Sequence, residues 1–406
     1  MRILIYSVNY FPELTGIGKY NAEMAQWLAE QGHEVTIITA PPYYPWWRVQ
    51  PPYRSWLYRT EQLDNVKVHR CPLWVPSQPT GIKRLLHLFT FALTSIPPLL
   101  LQIFKRPDVF IVLEPTLFCA PAALGVARLA GARTWLHVQD FEVDAALGLG
   151  LVKIKGVGVV AAKIERWLMN CFDRVSTISE NMVERLAVKG VGPGRRVLLP
   201  NWVDAQDIFP MSGPSGYRAE LGIGDDICVA LYSGNMGEKQ GLEILLEAAK
   251  LLQDEAGLLF VLCGEGAARE RLMQMGAGLR NVHWLPLQPV EQLNELLNLA
   301  DVHMLPQRAD VADLVMPSKL LGMLASGRPV LATAHPGTQL AEVVSSCGKV
   351  VEPGNAQVVA QGLLEFLHAP QQRVLLGIAA RQAAKAWDKT HVLRDFEGQL
   401  QALCNK

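Results

Sequence analysis

The amino-acid sequence predicts an α/β protein built from two successive doubly wound, Rossmann-like domains. Three observations carry this. The chain has 406 residues, too many for one ordinary domain and comfortable for two of about 150–200 residues each. Half of its residues are hydrophobic and 19% are charged, a balance that builds large cores and argues against disorder. Finally, short apolar runs of strand length alternate with amphipathic helical stretches, the pattern of a parallel sheet covered by helices on both faces.

In order, Arg2-Ile3-Leu4-Ile5-Tyr6-Ser7-Val8 is a continuous apolar run, as a central parallel strand requires. A loop with Pro12 and Gly16-Ile17-Gly18 follows; residues 20–31 then read as an amphipathic helix closed by Gly32, and 35–39 as the next strand. The alternation recurs with strands at 109–113, 134–138 and 174–178. It restarts with a strand at 227–232, a Gly-rich turn and a helix over 242–252, and continues with strands at 258–263, 282–285, 302–305, 329–332 and 349–351. The expected domains are residues 1–205, residues 206–385, and a helical tail 386–406. Gly190–Gly194 and Pro210–Gly216 are the expected linker region. The tail carries Trp387, Val392, Phe396, Leu400 and Leu403 at helical spacing, which allows it to cross back onto the first domain.

Charge and cysteines narrow the function classes. Lys and Arg total 38, as do Asp and Glu; residues 1–185 hold 19 basic against 15 acidic. No dense basic patch marks a nucleic-acid binder. The mildly basic first half suits an anionic membrane face or a pyrophosphate-bearing acceptor, and equally an ordinary surface. The seven cysteines are scattered, with no CxxC and no Cys/His cluster. This argues against zinc and for buried thiols in a reducing cytoplasm. The apolar run Ile3–Val8 is too short for a signal peptide. Leu85–Phe104 has no formal charge, carries Pro97-Pro98 and is flanked by Lys83-Arg84 and Lys105-Arg106. It reads as a core helix broken at the prolines, as an interfacial element peripheral to a membrane, or as a span.

Candidate chemistry sits on loops after strands. Gly16 and Gly18 precede a helix, where backbone amides can approach a phosphate; Asn21 stands where a dinucleotide fingerprint needs its third glycine. Gly234, Asn235, Lys239, Gln240 and Gly241 lie between a strand and a helix as a diphosphate cradle. Gly264 and Gly266 end the next strand. Ser318 is placed to cap a helix, and Lys319 to offer positive charge to a pyrophosphate. His137 ends a strand beside Asp140, Glu142 and Asp144. It can polarise a sugar or accept a proton, or serve as a hydrogen-bonded structural histidine.

The order of these motifs, with PNWVD (200–204), SGNMGEKQGLE (233–243), GEG, ADVHMLP (300–306) and PSKLLGMLASGRPV (317–330), resembles family-four glycosyltransferases of the GT-B architecture over nearly the whole chain. Within them it is most similar to exopolysaccharide enzymes, those of colanic acid assembly among them. The resemblance implies metal-independent, retaining transfer from a nucleotide sugar, GDP-linked and fucose by preference, to a lipid-linked saccharide in a cleft between the domains. It places Gly16 and Gly18 at the donor phosphates, His137 near the transferred sugar, and Gly264 and Gly266 on the nucleoside side. The sequence departs from the family's G-R-x-x-x-E-K-G loop: Asn235 stands at the arginine, Gln240 at the lysine, and Lys239 is one residue early. The paired glutamates E-x7-E are replaced by Leu314 and Gly322, with Asp313 one residue off. A sugar-nucleotide epimerase and an inactive scaffold of the same fold remain alternatives. A Rossmann dehydrogenase is disfavoured by the missing third glycine.

Overall fold

The computed structural model of the protein describes residues 1–13, 16–78, 81–114, 117–141, 143–144, 157–308 and 317–405. It divides into two compact units: Met1–Asn201 with Val392–Lys406, and Trp202–His391.

The first unit contains β1 (Arg2–Tyr6), α1 (Ile17–Glu30), β2 (Glu34–Thr39), β3 (Arg59–Leu63), β4 (Val66–Arg70), α2 (Gly81–Thr94), α3 (Ile96–Lys105), β5 (Val109–Glu114), α4 (Ala120–Ala130), β6 (Arg133–Val138), α5 (Val157–Asn170), β7 (Arg174–Thr177), α6 (Glu180–Val188) and β8 (Arg196–Leu198). The strands form one sheet of order β3-β4-β2-β1-β5-β6-β7-β8, with β1 at its centre; Ile5 pairs with Ile37 on one side and Ile111 on the other. Ile3–Tyr6 are buried throughout, which is why this segment reads as an unbroken apolar run rather than an alternating one. The β3–β4 hairpin is the only antiparallel pairing of the described strands, and the sequence reading missed it. Its edge strand Arg59-Thr60-Glu61-Gln62-Leu63 is polar because one side has no neighbour to cover it.

The second unit contains α7 (Gly216–Glu220), β9 (Cys228–Ser233), α8 (Glu243–Leu251), β10 (Leu258–Cys263), α9 (Arg269–Met275), β11 (Val282–Leu285), α10 (Leu293–Leu299), β12 (Val302–Leu305), α11 (Lys319–Ala325), β13 (Val330–Thr333), α12 (Gln339–Ser345), β14 (Gly348–Val351), α13 (Ala356–His368) and α14 (Pro370–Ala384). Its sheet is wholly parallel, in the order β11-β10-β9-β12-β13-β14. Leu245, Phe260, Val359 and Leu363 pack into the core on one side of the sheet, and Leu231, Val261 and Leu299 into another.

The stretches expected as linkers turn out otherwise. Residues 193–195 form a 3-10 turn that leads into β8 of the first sheet, and Pro210–Gly216 leads into α7. The chain leaves the first unit between them, at Asn201–Trp202. It returns within α15 (Lys389–Cys404), whose Val392 onward belongs to the first unit. There Phe396 packs edge-on against Trp135, ring centroids 5.1 Å apart, with both side chains buried, and Glu397 lies 2.9 Å from His33. The segment 85–104 is two helices meeting at Ser95, with Pro97 and Pro98 inside the first turn of α3, where proline is tolerated. One face of the pair is buried and the other is not.

Removing a buried ring without collapse of its surroundings costs about 3–5 kcal/mol. Phe396→Ala is therefore expected to lower stability by about that amount. Urea unfolding followed by tryptophan fluorescence checks this; a midpoint equal to wild type would show that the tail contributes nothing to the first core.

Candidate functional site

Loops that follow parallel strands emerge at one edge of the sheet. Where strand order reverses, neighbouring loops turn in opposite directions and leave a crevice. In the second unit the reversal falls between β9 and β12. The loop after β9 is Gly234–Gly241, and the loop after β12 begins Pro306-Gln307-Arg308.

The first of these loops is fastened to its neighbour. Gly234 N–H donates to Cys263 O at 3.0 Å, Met236 N–H to Glu265 O at 2.8 Å, and Ala268 N–H to Met236 O at 2.9 Å. The two backbones approach so closely that a Cβ on Gly264 would lie 1.8 Å from Gly234 O, and one on Gly266 would lie 2.5 Å from Met236 O. No other residue fits at either position. Gly264 and Gly266, expected to line the nucleoside side, thus have a prior structural duty: they set the loop that forms the crevice wall. Tyr232, itself buried, holds the same loop from beneath by donating its hydroxyl to Asn235 O at 2.6 Å.

Lys319 reaches this loop from the start of α11. Its Nζ donates to Gln240 Oε1 at 3.3 Å and lies 4.3 Å from the centroid of the Tyr232 ring. Its stem passes Gly234, where an added Cβ would meet Lys319 Cδ at 3.6 Å. Burial against neutral partners pushes the Lys319 ammonium down to about 7. Gly234, Gln240 and Lys319 are thereby brought together, with Asn235 exposed at the loop's tip. Gly241, at φ 64°, sits against Arg308, whose Cγ would be 2.8 Å from a Cβ there. The sequence reading missed Arg308. Its signal was position: a cation three residues beyond the end of β12, on the other side of the reversal. Gln307 anchors that loop through two hydrogen bonds with Thr333 Oγ1, at 2.8 and 2.9 Å.

Other expectations fare differently. Ser318 is exposed and makes no side-chain cap bond. The backbone of Lys239 lies in the 3-10 turn 238–240, and its side chain lies outside the described residues. Asp313, Leu314 and Glu142 also lie outside them. Gly322 packs against Leu297.

In the first unit, Gly16 at φ 61° is exposed and opens α1. Gly18 lies against a carboxyl side chain. A Cβ there would meet Glu13 at 2.8 Å. Glu13 is buried; its Oε1 accepts from Tyr43 N–H and Tyr44 N–H, each at 2.9 Å, and its Oε2 from Asn9 Nδ2 at 2.7 Å. Burial pushes the Glu13 carboxyl above its usual range, against those bonds. Gly18 makes room for this carboxyl, and a carboxyl is a poor neighbour for phosphate. Asn21 ties the loop down by donating to Ser7 Oγ at 2.8 Å and Asn9 O at 3.0 Å.

His137 lies near the end of β6, before the strand leaves the sheet. It is buried, its Nδ1 lies 2.8 Å from Ser176 Oγ, and Gln139 Nε2 lies 2.9 Å from its Nε2. Gln139 donating to Nε2 assigns the ring proton to Nδ1. Burial drives the imidazolium down to about 3, so the ring is neutral. With both nitrogens engaged, His137 positions Gln139, which also donates to Asn201 Oδ1 at 3.1 Å. Asp140 is exposed just beyond it. Among the described residues no three His, Cys, Asp or Glu side chains group as metal ligands.

Comparison with known proteins identifies the family. Residues 15–202 match the Glycosyl transferase 4-like domain, and residues 228–369 match Glycosyl transferases group 1. The chain is 44% identical, over 98% of each sequence, to WcaI of Escherichia coli (strain K12), a protein assigned to colanic acid biosynthesis as a glycosyl transferase. Among solved structures, sucrose-phosphate synthase from Thermosynechococcus elongatus superposes with TM-score 0.76 at 17% identity, covering 99% of this chain and 98% of that one. Anabaena HepE in complex with UDP superposes with TM-score 0.72 at 14% identity, covering 99% and 100%. The chain belongs to the GT-B glycosyltransferases, with a 4-like domain in its first half and a group 1 domain in its second.

Proposed function

We propose that this glycosyltransferase moves a sugar from a nucleoside diphosphate donor to a lipid-linked saccharide in exopolysaccharide assembly of the colanic acid type. The observation that supports this most is the crevice between β9 and β12, where Lys319 and Arg308 flank a loop of glycine amides. A diphosphate needs positive charge and N–H donors in one place, and its leaving charge is stabilised by the same groups. Arg308 supplies the guanidinium that Asn235 cannot. Gly16, which opens α1, is assigned to the donor phosphates by the family resemblance. His137 acts through Gln139, and Asp140 lies beside them at the transferred sugar. Retention of configuration and independence of metal follow from the family resemblance, and the two cations are the groups that replace a metal's charge. GDP-fucose is the donor we propose, from the likeness to the colanic acid enzymes. HepE, solved with UDP, favours a uridine donor instead.

Thermal-shift screening with UDP, GDP, CDP and TDP sugars decides between them. A ligand at 100 times its dissociation constant stabilises by about 2.7 kcal/mol, and the largest shift is expected from a GDP sugar. Stabilisation by UDP sugars alone would overturn that choice. Activity is expected to survive EDTA; loss restored by Mg²⁺ or Mn²⁺ would reverse the metal assignment.

Lys319→Ala is expected to cost about 2–4 kcal/mol of transition-state stabilisation, read from kcat/KM, with the unfolding midpoint unchanged. Arg308→Ala is expected to weaken donor binding in the same direction, whereas Arg308→Lys restores part of it. Wild-type kcat/KM in both alanine variants would remove the clamp. Affinity also depends on pH. The Lys319 ammonium in the free protein lies near 7, and binding requires its cation, so above pH 7 the complex must take up a proton. Affinity for the nucleotide sugar, whose phosphates do not titrate in this range, is expected to fall from pH 6.5 to 8.5. In Lys319→Arg that fall should vanish; calorimetry at the two pH values measures it.

A further inference from the structure

The helix pair α2–α3 carries two apolar faces, and folding uses only one. Phe91 and Leu99 are buried, with Phe91 5.6 Å from the Tyr6 ring. On the opposite side Ile82, Leu85, Phe89, Leu93, Leu101 and Phe104 face solvent, with Phe104 84% exposed. Along α2 the exposed residues recur at intervals of three and four, one continuous stripe. A protein in water gains nothing from exposing such a stripe.

Three features of its border identify what covers it. Residues 81–106 contain no acidic residue, while Lys83, Arg84, Lys105 and Arg106 are exposed at the two ends. Two half-exposed aromatics stand beside the stripe: Tyr58 donates its hydroxyl to Thr94 O at 2.7 Å, and Trp74 N–H donates to Thr90 Oγ1 at 3.3 Å. Tyrosine and tryptophan with basic residues around an apolar band are the composition of a membrane interface. A second copy of the chain is a poor occupant, because an isologous contact would bring four cations against the same four.

We infer that the first unit docks through the exposed stripe of α2–α3 onto an anionic lipid leaflet, with the basic ends at the headgroups. Gly81–Lys105 is long and apolar enough to cross a bilayer. Its other face is committed to protein, however: Ser95 hydrogen-bonds Tyr6, and His87 Nδ1 lies 2.7 Å from Trp74 O. The helices lie in the interface rather than spanning it. This claim is separate from the sugar transfer, and binding to lipid is measured without donor or acceptor.

The test is co-sedimentation of the full chain with phosphatidylglycerol-containing vesicles and with phosphatidylcholine vesicles, at low and high salt. Wild type is expected to bind the anionic vesicles at low salt and to release as salt rises. Lys83→Ala with Arg84→Ala should weaken binding about thirtyfold, from about 1 kcal/mol per cation. Phe89→Ser with Leu93→Ser should abolish binding while leaving the melting temperature within a few degrees of wild type. Failure of wild type to sediment with anionic vesicles at low salt overturns the inference. So does a large loss of thermal stability in the serine variant, which would make the stripe core. A wild-type dimer in light scattering that the serine variant dissociates would assign the stripe to self-association instead.

Discussion

A parallel sheet covered on both faces has almost no room for polar chemistry in its interior. Strand interiors are mostly apolar, and the few polar side chains there, such as His137 and Ser176, bond to one another, so ligand-binding groups collect where the backbone leaves the sheet, at the carboxyl edge. The second unit shows how strict this is. Leu231 and Tyr232 are buried, yet within a few residues the same chain reaches an exposed Asn235. The turn at that edge is held by backbone hydrogen bonds between the loops after β9 and β10, which close only because Gly264 and Gly266 have no side chains. That fastening fixes the loop against which the Lys319 and Arg308 side chains lie.

Burial without a counter-charge then tunes the titratable groups, to different ends. His137 and Lys319 are both shifted toward neutrality by burial alone. His137 is enclosed by neutral partners at both nitrogens, so its proton is fixed and its work is positional. Among the described residues Lys319 meets an amide oxygen and a ring face, and it keeps part of its surface exposed. Glu13 is the reverse case, a carboxyl held by N–H donors in the loop where a phosphate had been expected.

The first unit also leaves apolar surface uncovered along one pair of helices. Its α2–α3 pair buries one face and presents the other, framed by basic and aromatic residues. The fold tolerates this because the buried face alone joins the core, through Phe91 and Leu99.

Much of this was determined by the sequence alone. The apolar run 258–263 coincides with β10, because a strand buried on both faces has no other way to be written. Lys319, Gly234 and Gln240 were legible as loop residues beside a helix start. The polar edge strand Arg59–Leu63 was not, since an edge needs no hydrophobic alternation. The tertiary structure alone decided three further things. It decided that Arg308 joins the site, because strand order rather than sequence distance brings residues 241 and 308 together. It decided which groups enclose His137 and which carboxyl lies beside Gly18, because those partners come from elements far along the chain. And it decided which side of Leu85–Phe104 faces outward, because a helix apolar all round carries no pattern from which its exposed face can be read.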